Sequence, residues 1–124
     1  MHPEEMARVA REAADAKKAE NVVVLDLRGI TLITDFFVIC SAGTVRQVQA
    51  ISDAVIEKMK EAGVKLLHVE GYERGRWVLL DYGGVVVHVF NRAERDYYRL
   101  EDLWGDARVV VDDRQCAVGG ESKA

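Results

Sequence analysis

Hydrophobic residues recur at helical spacing in two long segments of the chain. Residues 3–19 start with a proline and two glutamates, which favour a first helical turn, and continue with a stripe that is mostly alanine. This stripe predicts a helix that packs lightly on the domain. Residues 44–63 predict a second helix, in which Thr44 and Gln47 fit a capping box and Gly63 ends the last turn. Its apolar stripe contains Val48, Ile51, Val55, Met59 and Ala62.

Two β-branched runs predict strands at 22–27 and 36–41, and further strands are predicted at 65–70 and at 77–90, the last as a hairpin. The run 36–41 is apolar on both faces, which is typical of an interior strand. Residues 28–35 are expected to be a long loop between the first two strands. The helix that lies between the second and third strands indicates a right-handed parallel crossover.

The remaining segments complete one α/β domain. Residues 71–76 predict a flexible loop, and residues 93–104 predict a last helix with Tyr97, Leu100, Leu103 and Trp104 on one side. The order of the elements predicts an α/β fold, with a mixed sheet of about five strands and helices packed on it. The domain is expected to span residues 1–111, and residues 112–124 are expected to be a disordered tail.

The hairpin WVLLDYGGVVVHVF has one uniform face and one mixed face. Side chains alternate across its Gly-Gly turn. One face is almost wholly aliphatic and predicts core: Val78, Leu80, Tyr82, Val85, Val87 and Val89. The other carries two aromatic rings, an acid and an imidazole: Trp77, Leu79, Asp81, Val86, His88 and Phe90. We expect Trp77 opposite Phe90, and Asp81 as a diagonal neighbour of His88.

Two interpretations of the mixed face remain open. In the first, the last helix covers this face, and Asp81 and His88 satisfy each other's hydrogen bonds. In the second, part of the face stays exposed as a docking patch with Trp77 as its anchor, because Trp and Tyr are enriched among binding hot spots. Both hold if the helix covers only half of the face.

Composition and charge narrow the class of partner. The chain has 124 residues and a net charge of −4, with a sequence pI of about 5.4. This balance disfavours nucleic acid as the main contact and suits a basic protein. The chain has no apolar run of the about 18 to 20 residues that a membrane span needs, and its acidic N-terminus does not resemble a signal peptide. Cys40 and Cys116 form no metal-type pair, so a reduced, cytoplasmic protein is expected.

The residues that could support catalysis are not brought together by the sequence. Ser41 and Cys40 are available nucleophiles, but no spacing places either beside His88. The chain has three scattered histidines and neither an HExxH nor a CxxC spacing. The sequence therefore predicts no catalytic residue, no metal and no cofactor.

Two weaker features keep alternatives open. The SAGT turn at residues 41–44 precedes a helix, where backbone amides can bind an anion, and it supports a nucleotide-handling enzyme of nucleotidyltransferase type as the alternative function. Asp26 and Asp35 are more simply explained as a strand-end acid and a turn acid than as metal ligands. A third hypothesis is a homodimeric structural protein that pairs through the mixed hairpin face.

Three segments of the chain resemble the ribosomal silencing factor family, also called Iojap-like proteins. They are RGITLITDFFVICSAGTVRQVQAISDAV, EGYERGRWVLLDYGGVVVHVF and ERDYYRLEDLW, in the family's order and at its spacing. The likeness runs from about Val22 to Ala107. The family pattern usually reads DYGDVVVH, and this chain has Gly84 where the second acid is expected. Any role of that acid is therefore absent here, although a Gly-Gly turn preserves the hairpin.

The resemblance implies a fold akin to nucleotidyltransferases without their catalytic acids, and a non-enzymatic protein. It implies binding to the large ribosomal subunit through the fourteenth large-subunit ribosomal protein, at the face that meets the small subunit. The bound factor would sterically block subunit joining and lower translation when nutrients are scarce. Occupancy alone is sufficient for this effect, because binding that excludes the small subunit shifts the association equilibrium.

The candidate contact residues lie on the hairpin and around it. The predicted partner-binding residues are Trp77, Asp81, Tyr82, Glu70, Glu73 and Glu101. The residues predicted to shape the patch from behind are His88, Phe90, Tyr98 and Trp104. Tyr82 conflicts with the alternation of side chains, which assigns it to the core face, so its exposure would require a twisted turn end. A homodimer through the same face is a further expectation for the free protein.

Overall fold

The computed structural model describes residues 1–112. Their helices are α1 (Pro3–Ala16), α2 (Val45–Glu61) and α3 (Arg92–Tyr98), and a 3₁₀ helix follows at Leu100–Trp104. Their strands are β1 (Glu20–Asp26), β2 (Phe36–Ala42), β3 (His68–Glu70), β4 (Trp77–Asp81), β5 (Val85–Asn91) and β6 (Arg108–Asp112). The predicted α/β class and mixed sheet are confirmed, whereas the nucleotidyltransferase likeness stays a prediction.

The six strands form one sheet in the order β3-β4-β5-β2-β1-β6. The central strands β2 and β5 are parallel, and every other neighbouring pair is antiparallel. Strand β3 consequently runs in the same direction as β2, as the helix between them predicted. The two strands are not neighbours, however, because β4 and β5 lie between them. The sheet gains β6 from the apolar run that follows the last helix.

Helices α1 and α2 cover one face of the sheet, which we call the helix face. Thr44 begins α2 by accepting a hydrogen bond from the Gln47 amide, as predicted (3.1 Å). The prediction of light packing for α1 is wrong, because Ala7, Ala10, Ala13 and Ala14 are buried in the core that the two helices form with the sheet. Alanine lets helix backbones approach closely, so a stripe of small residues here produces tight packing.

The opposite face, which we call the outer face, is covered mainly by residues 92–107, which we call the C-terminal segment. Its buried residues are Val23, Leu25, Leu27, Ile39 and Phe90, together with Leu100 and Ala107. The predicted continuous helix at 93–104 is broken at Arg99, whose φ of 47° ends α3. This left-handed residue turns the chain so that Leu100 packs on the sheet, while Tyr97 and Leu103 are 80% and 73% exposed.

The predicted boundaries change at both ends of the sheet. Strand β3 contains only three of the six residues predicted at 65–70. Asp112, which was assigned to the tail, is the last residue of β6. Residues 113–124, the rest of that predicted tail, lie outside the described residues, and so does Cys116.

The loop at residues 71–76 was predicted to be flexible but is attached to α2. Gln49 donates a hydrogen bond to the Tyr72 carbonyl oxygen (2.9 Å), and the Tyr72 hydroxyl donates one to the Asp53 carboxylate (2.8 Å). These contacts hold the chain where it enters β4.

Gly71→Ala is expected to lower the free energy of unfolding. The loss should exceed about 1–2 kcal/mol, which is the cost of a left-handed backbone conformation for a residue other than glycine. Gly71 has a φ of +78°, and an added Cβ would lie 2.1 Å from the Trp77 carbonyl oxygen. Gly63→Ala is the matched control, since its φ is +81° and an added Cβ meets nothing within 4 Å. Urea denaturation measures both variants, and equal losses would contradict the steric argument.

Candidate docking surface

Trp77 occupies the edge of the outer face between two other aromatic rings. Its side chain is half-buried, and it lies opposite Phe90 as predicted. The two rings stack with their centroids 4.8 Å apart, and the Tyr98 ring lies 5.0 Å from Trp77 on α3. The indole is therefore supported from the sheet and from the C-terminal segment, while part of it faces solvent.

His88 forms a hydrogen bond with Trp77. The indole Nε1–H donates to His88 Nδ1 at 3.1 Å. Because the indole can only donate, Nδ1 must be the acceptor, which places the proton of the neutral imidazole on Nε2. Phe37 meets the imidazole edge to face with 4.5 Å between ring centroids. Burial in these apolar surroundings lowers the pKa of His88 to about 3, so the ring is neutral at physiological pH.

The prediction that Asp81 and His88 form a hydrogen bond with each other is wrong. The two residues are diagonal neighbours, since Asp81 pairs with Val86 and Leu79 pairs with His88. The Asp81 carboxylate instead accepts a hydrogen bond from the Gly83 amide at 2.8 Å. An aspartate that accepts a hydrogen bond from the amide two residues later stabilises the turn between them. Asp81 makes this local contact and no hydrogen bond to the diagonal residue His88.

Folding stability is expected to fall by about 2 kcal/mol between pH 7 and pH 5 because of His88. The folded-state pKa of His88 is about 3, below the ordinary value of 6.5. The unfolded chain therefore binds a proton that the folded chain excludes, so this stability is complete above pH 6.5 and is lost as pH falls towards 3. Urea denaturation across this range measures the effect. His88→Leu should remove this part of the pH dependence, and an unchanged slope in that variant would contradict the assignment.

Half of the outer face is left uncovered. Trp104 packs against Phe37 with 5.8 Å between ring centroids, so the C-terminal segment covers the β1–β2 half. The β3–β4 half is open to solvent. We call this half the outer patch, and it consists of His68, Glu70, Trp77, Leu79, Asp81 and Tyr98. The coverage expected in the first interpretation is thus found for one half only, without the Asp81–His88 hydrogen bond. The docking role of the other half stays a prediction.

Comparison of the sequence with models of protein families shows the family to which this chain belongs. The family model described as "Ribosomal silencing factor during starvation" matches residues 1–123. The chain belongs to this family. RsfS-family proteins are non-enzymatic ribosome-binding factors, which removes the nucleotide-handling enzyme as an alternative.

Two relatives and one solved structure match most of this chain. It is 51% identical to the ribosomal silencing factor RsfS of Halalkalibacterium halodurans, over 89% of this chain and 94% of that protein. It is 37% identical to the chloroplastic protein Iojap of Zea mays, over 80% of this chain and 43% of that protein. A crystal structure of a protein from Chromobacterium violaceum superposes with a TM-score of 0.83 at 41% identity, covering 85% of this chain and 88% of that one.

The other candidate contact residues are placed differently from Trp77. Glu73 is exposed on the loop before β4. Tyr82 lies on the helix face and is only 5% exposed, and burial raises its pKa to about 12. Glu101 is largely buried against Arg95 (3.1 Å). In this conformation Tyr82 and Glu101 therefore contribute to the interior, and neither presents its side chain to a partner.

Arg95 holds the candidate surface together, although no sequence pattern singles it out. Its guanidinium is buried, and it donates to the Glu101 carboxylate through Nε and to the Ser41 hydroxyl (3.2 Å) through Nη1. These bonds attach the C-terminal segment to the sheet and so position Tyr98 and Trp104. No pattern signals this role, because an arginine in a short amphipathic helix is ordinarily solvated.

The candidate catalytic groups are separated by the sheet or already paired. Cys40 faces the helix face, where burial raises its pKa to about 12, whereas His88 lies on the outer face. Arg28 and Arg108 bind the Asp26 carboxylate and hold its pKa well below the usual range. Residues 1–112 contain no group of three or more His, Cys, Asp or Glu side chains arranged for a metal ion. Every helix in this range is too short or too polar to cross a bilayer.

Proposed function

We propose that this protein binds the large ribosomal subunit through the outer patch and thereby prevents the small subunit from joining. The proposed contact is a basic ribosomal protein at the subunit interface, for which the family resemblance favours the fourteenth large-subunit ribosomal protein. The effect would be lower translation when nutrients are scarce, and the proposed location is the cytoplasm.

The observation that carries this proposal is the half-covered outer face. Trp77 and Leu79 lie on β4 in the uncovered half, and the Tyr98 ring lies beside Trp77. A half-buried indole supported by aromatic rings presents a large apolar area with little side-chain entropy left to lose. Such rigid aromatic groups are the usual anchors of protein interfaces.

The charges around Trp77 favour a basic partner. Glu70 and Asp81 bring carboxylates to the same half of the face, and Glu70 is exposed. The chain as a whole carries a net charge of −4. Complementary charge raises the rate of encounter and selects the partner, while the aromatic anchor supplies most of the affinity.

The proposed mechanism requires no covalent step. A bound protein excludes the small subunit if its footprint overlaps the surface on which that subunit lands. Occupancy then reduces the population of joined ribosomes by mass action. No nucleotide, metal or cofactor is needed for this effect.

Sedimentation of purified large subunits with this protein tests the proposal. We expect co-sedimentation with large subunits, and fewer joined particles when small subunits are added afterwards. Addition of small subunits before the protein should protect the joined particles. Unchanged subunit joining at saturating protein would exclude the proposed function.

A second copy of this chain is the competing occupant of the outer patch. If the free protein is a homodimer through this patch, the dimer must dissociate before docking, because Trp77 cannot serve both contacts. Light scattering of the free protein and of its complex with the isolated ribosomal protein distinguishes these states. A dimer that persists in the complex would exclude docking through the patch.

A further inference from the structure

The polar contacts of His88 are incomplete for a buried imidazole. His88 is 3% exposed. Within residues 1–112, its one hydrogen bond is the bond to Trp77, and Nε2 has no partner. Since Nδ1 is the acceptor, Nε2 carries the proton, and among residues 1–112 it has no acceptor. Leaving a buried donor unsatisfied destabilises a fold, so an aliphatic residue would suit this position better on grounds of packing alone.

We infer that His88 is a positioning residue for docking, whose Nδ1 atom holds the indole of Trp77 in the orientation that meets the partner. This inference rests on the proposed function. His88 would not touch the ribosomal protein itself, because its side chain is buried beneath the outer face.

The geometry around the indole explains why an acceptor is needed. Stacking on Phe90 at 4.8 Å defines the plane of the indole, and Tyr98 limits its sideways movement. Stacking alone permits the indole to turn over, since either orientation buries similar area. Only one of these two orientations brings Nε1–H to His88 Nδ1 at 3.1 Å. The hydrogen bond therefore selects a single orientation before the partner arrives, which lowers the entropy lost on binding.

A double-mutant cycle tests the inference through binding to large subunits. His88→Leu is combined with Trp77→Phe, which keeps an aromatic ring but has no N–H group. We expect His88→Leu to weaken binding about tenfold when Trp77 is present and to have no further effect in the Trp77→Phe protein. An equal loss in both backgrounds, or no loss in either, would overturn the inference.

The conservative variant and the free protein provide a second measurement. His88→Asn retains an acceptor near the position of Nδ1, so it should recover most of the affinity that His88→Leu loses. In the free protein, we expect the Trp77 indole N–H to exchange with solvent faster in His88→Leu than in wild type or His88→Asn. The free energy of unfolding of His88→Leu should stay unchanged or rise. Identical exchange in all three proteins would also overturn the inference.

The two proposals fail in different ways. If the wild-type protein does not bind large subunits, the proposed function fails and the docking role of His88 fails with it. If the wild-type protein binds and blocks joining but the effects of His88→Leu and Trp77→Phe are additive, only the positioning role is overturned.

Discussion

Trp77→Ala is expected to weaken binding to large ribosomal subunits about thirtyfold or more, which corresponds to about 2 kcal/mol. The substitution removes the aromatic area that the outer patch presents, together with the stacking on Phe90 and the hydrogen bond to His88. The binding constant from co-sedimentation or from titration with the isolated ribosomal protein measures the effect. The concentration of protein that blocks subunit joining should rise by the same factor.

Two controls separate lost contact from lost folding in this variant. Urea denaturation establishes the conditions under which Trp77→Ala remains folded, and binding is compared only there. Glu57→Ala changes an exposed residue of α2 on the opposite side of the sheet and should leave binding unchanged. Wild-type affinity in a folded Trp77→Ala protein would remove Trp77 from the docking site.

Glu101→Gln is expected to lower the free energy of unfolding by about 3 kcal/mol or more. The side chains of Arg95 and Glu101 are 6% and 8% exposed, so the substitution leaves a buried guanidinium without its countercharge. Removing one partner of a buried pair is costly because the remaining charge has been taken out of water and is no longer compensated. Urea denaturation at neutral pH measures the loss.

Two further variants identify the buried charge as the cause. Asp102→Asn removes one partner of the exposed Arg99–Asp102 pair and should cost less than about 1 kcal/mol. Combining Arg95→Met with Glu101→Leu replaces the buried pair by apolar groups and should recover much of the loss. A loss in Glu101→Gln no larger than that of Asp102→Asn would contradict the role assigned to this pair.

Periodicity was sufficient to predict the features that depend on neighbouring residues. The alternation along 77–90 correctly separated the helix face from the outer face, and it placed Trp77 opposite Phe90. The same alternation placed Tyr82 in the core, against its assignment as a contact residue. These results follow from strand geometry, in which each side chain points opposite to the one before it.

Contacts between residues far apart in the chain were not predictable from such patterns. The break at Arg99 depends on where the C-terminal segment meets the sheet, and the apolar spacing of residues 93–104 alone favoured one helix. Arg95 donates to Ser41, which belongs to a strand more than 50 positions earlier. The choice of Trp77 over Asp81 as the partner of His88 likewise depends on side-chain orientation, which spacing does not specify.

The position of Trp77 in the sheet has a consequence for when the protein can act. Phe90 on β5 and Tyr98 on α3, which support the indole, are synthesised after Trp77. Strand β2 can form its parallel pairing only after about 50 further residues have been synthesised, because its neighbour β5 lies that far along the chain. A nascent chain that ends before Val85 therefore lacks the pairing between β2 and β5, and it lacks the side chains that fix the orientation of the Trp77 indole. We expect such a chain, arrested at Gly84 and tested with added large subunits, not to bind them. The protein would become a repressor only after β5 and α3 have been synthesised.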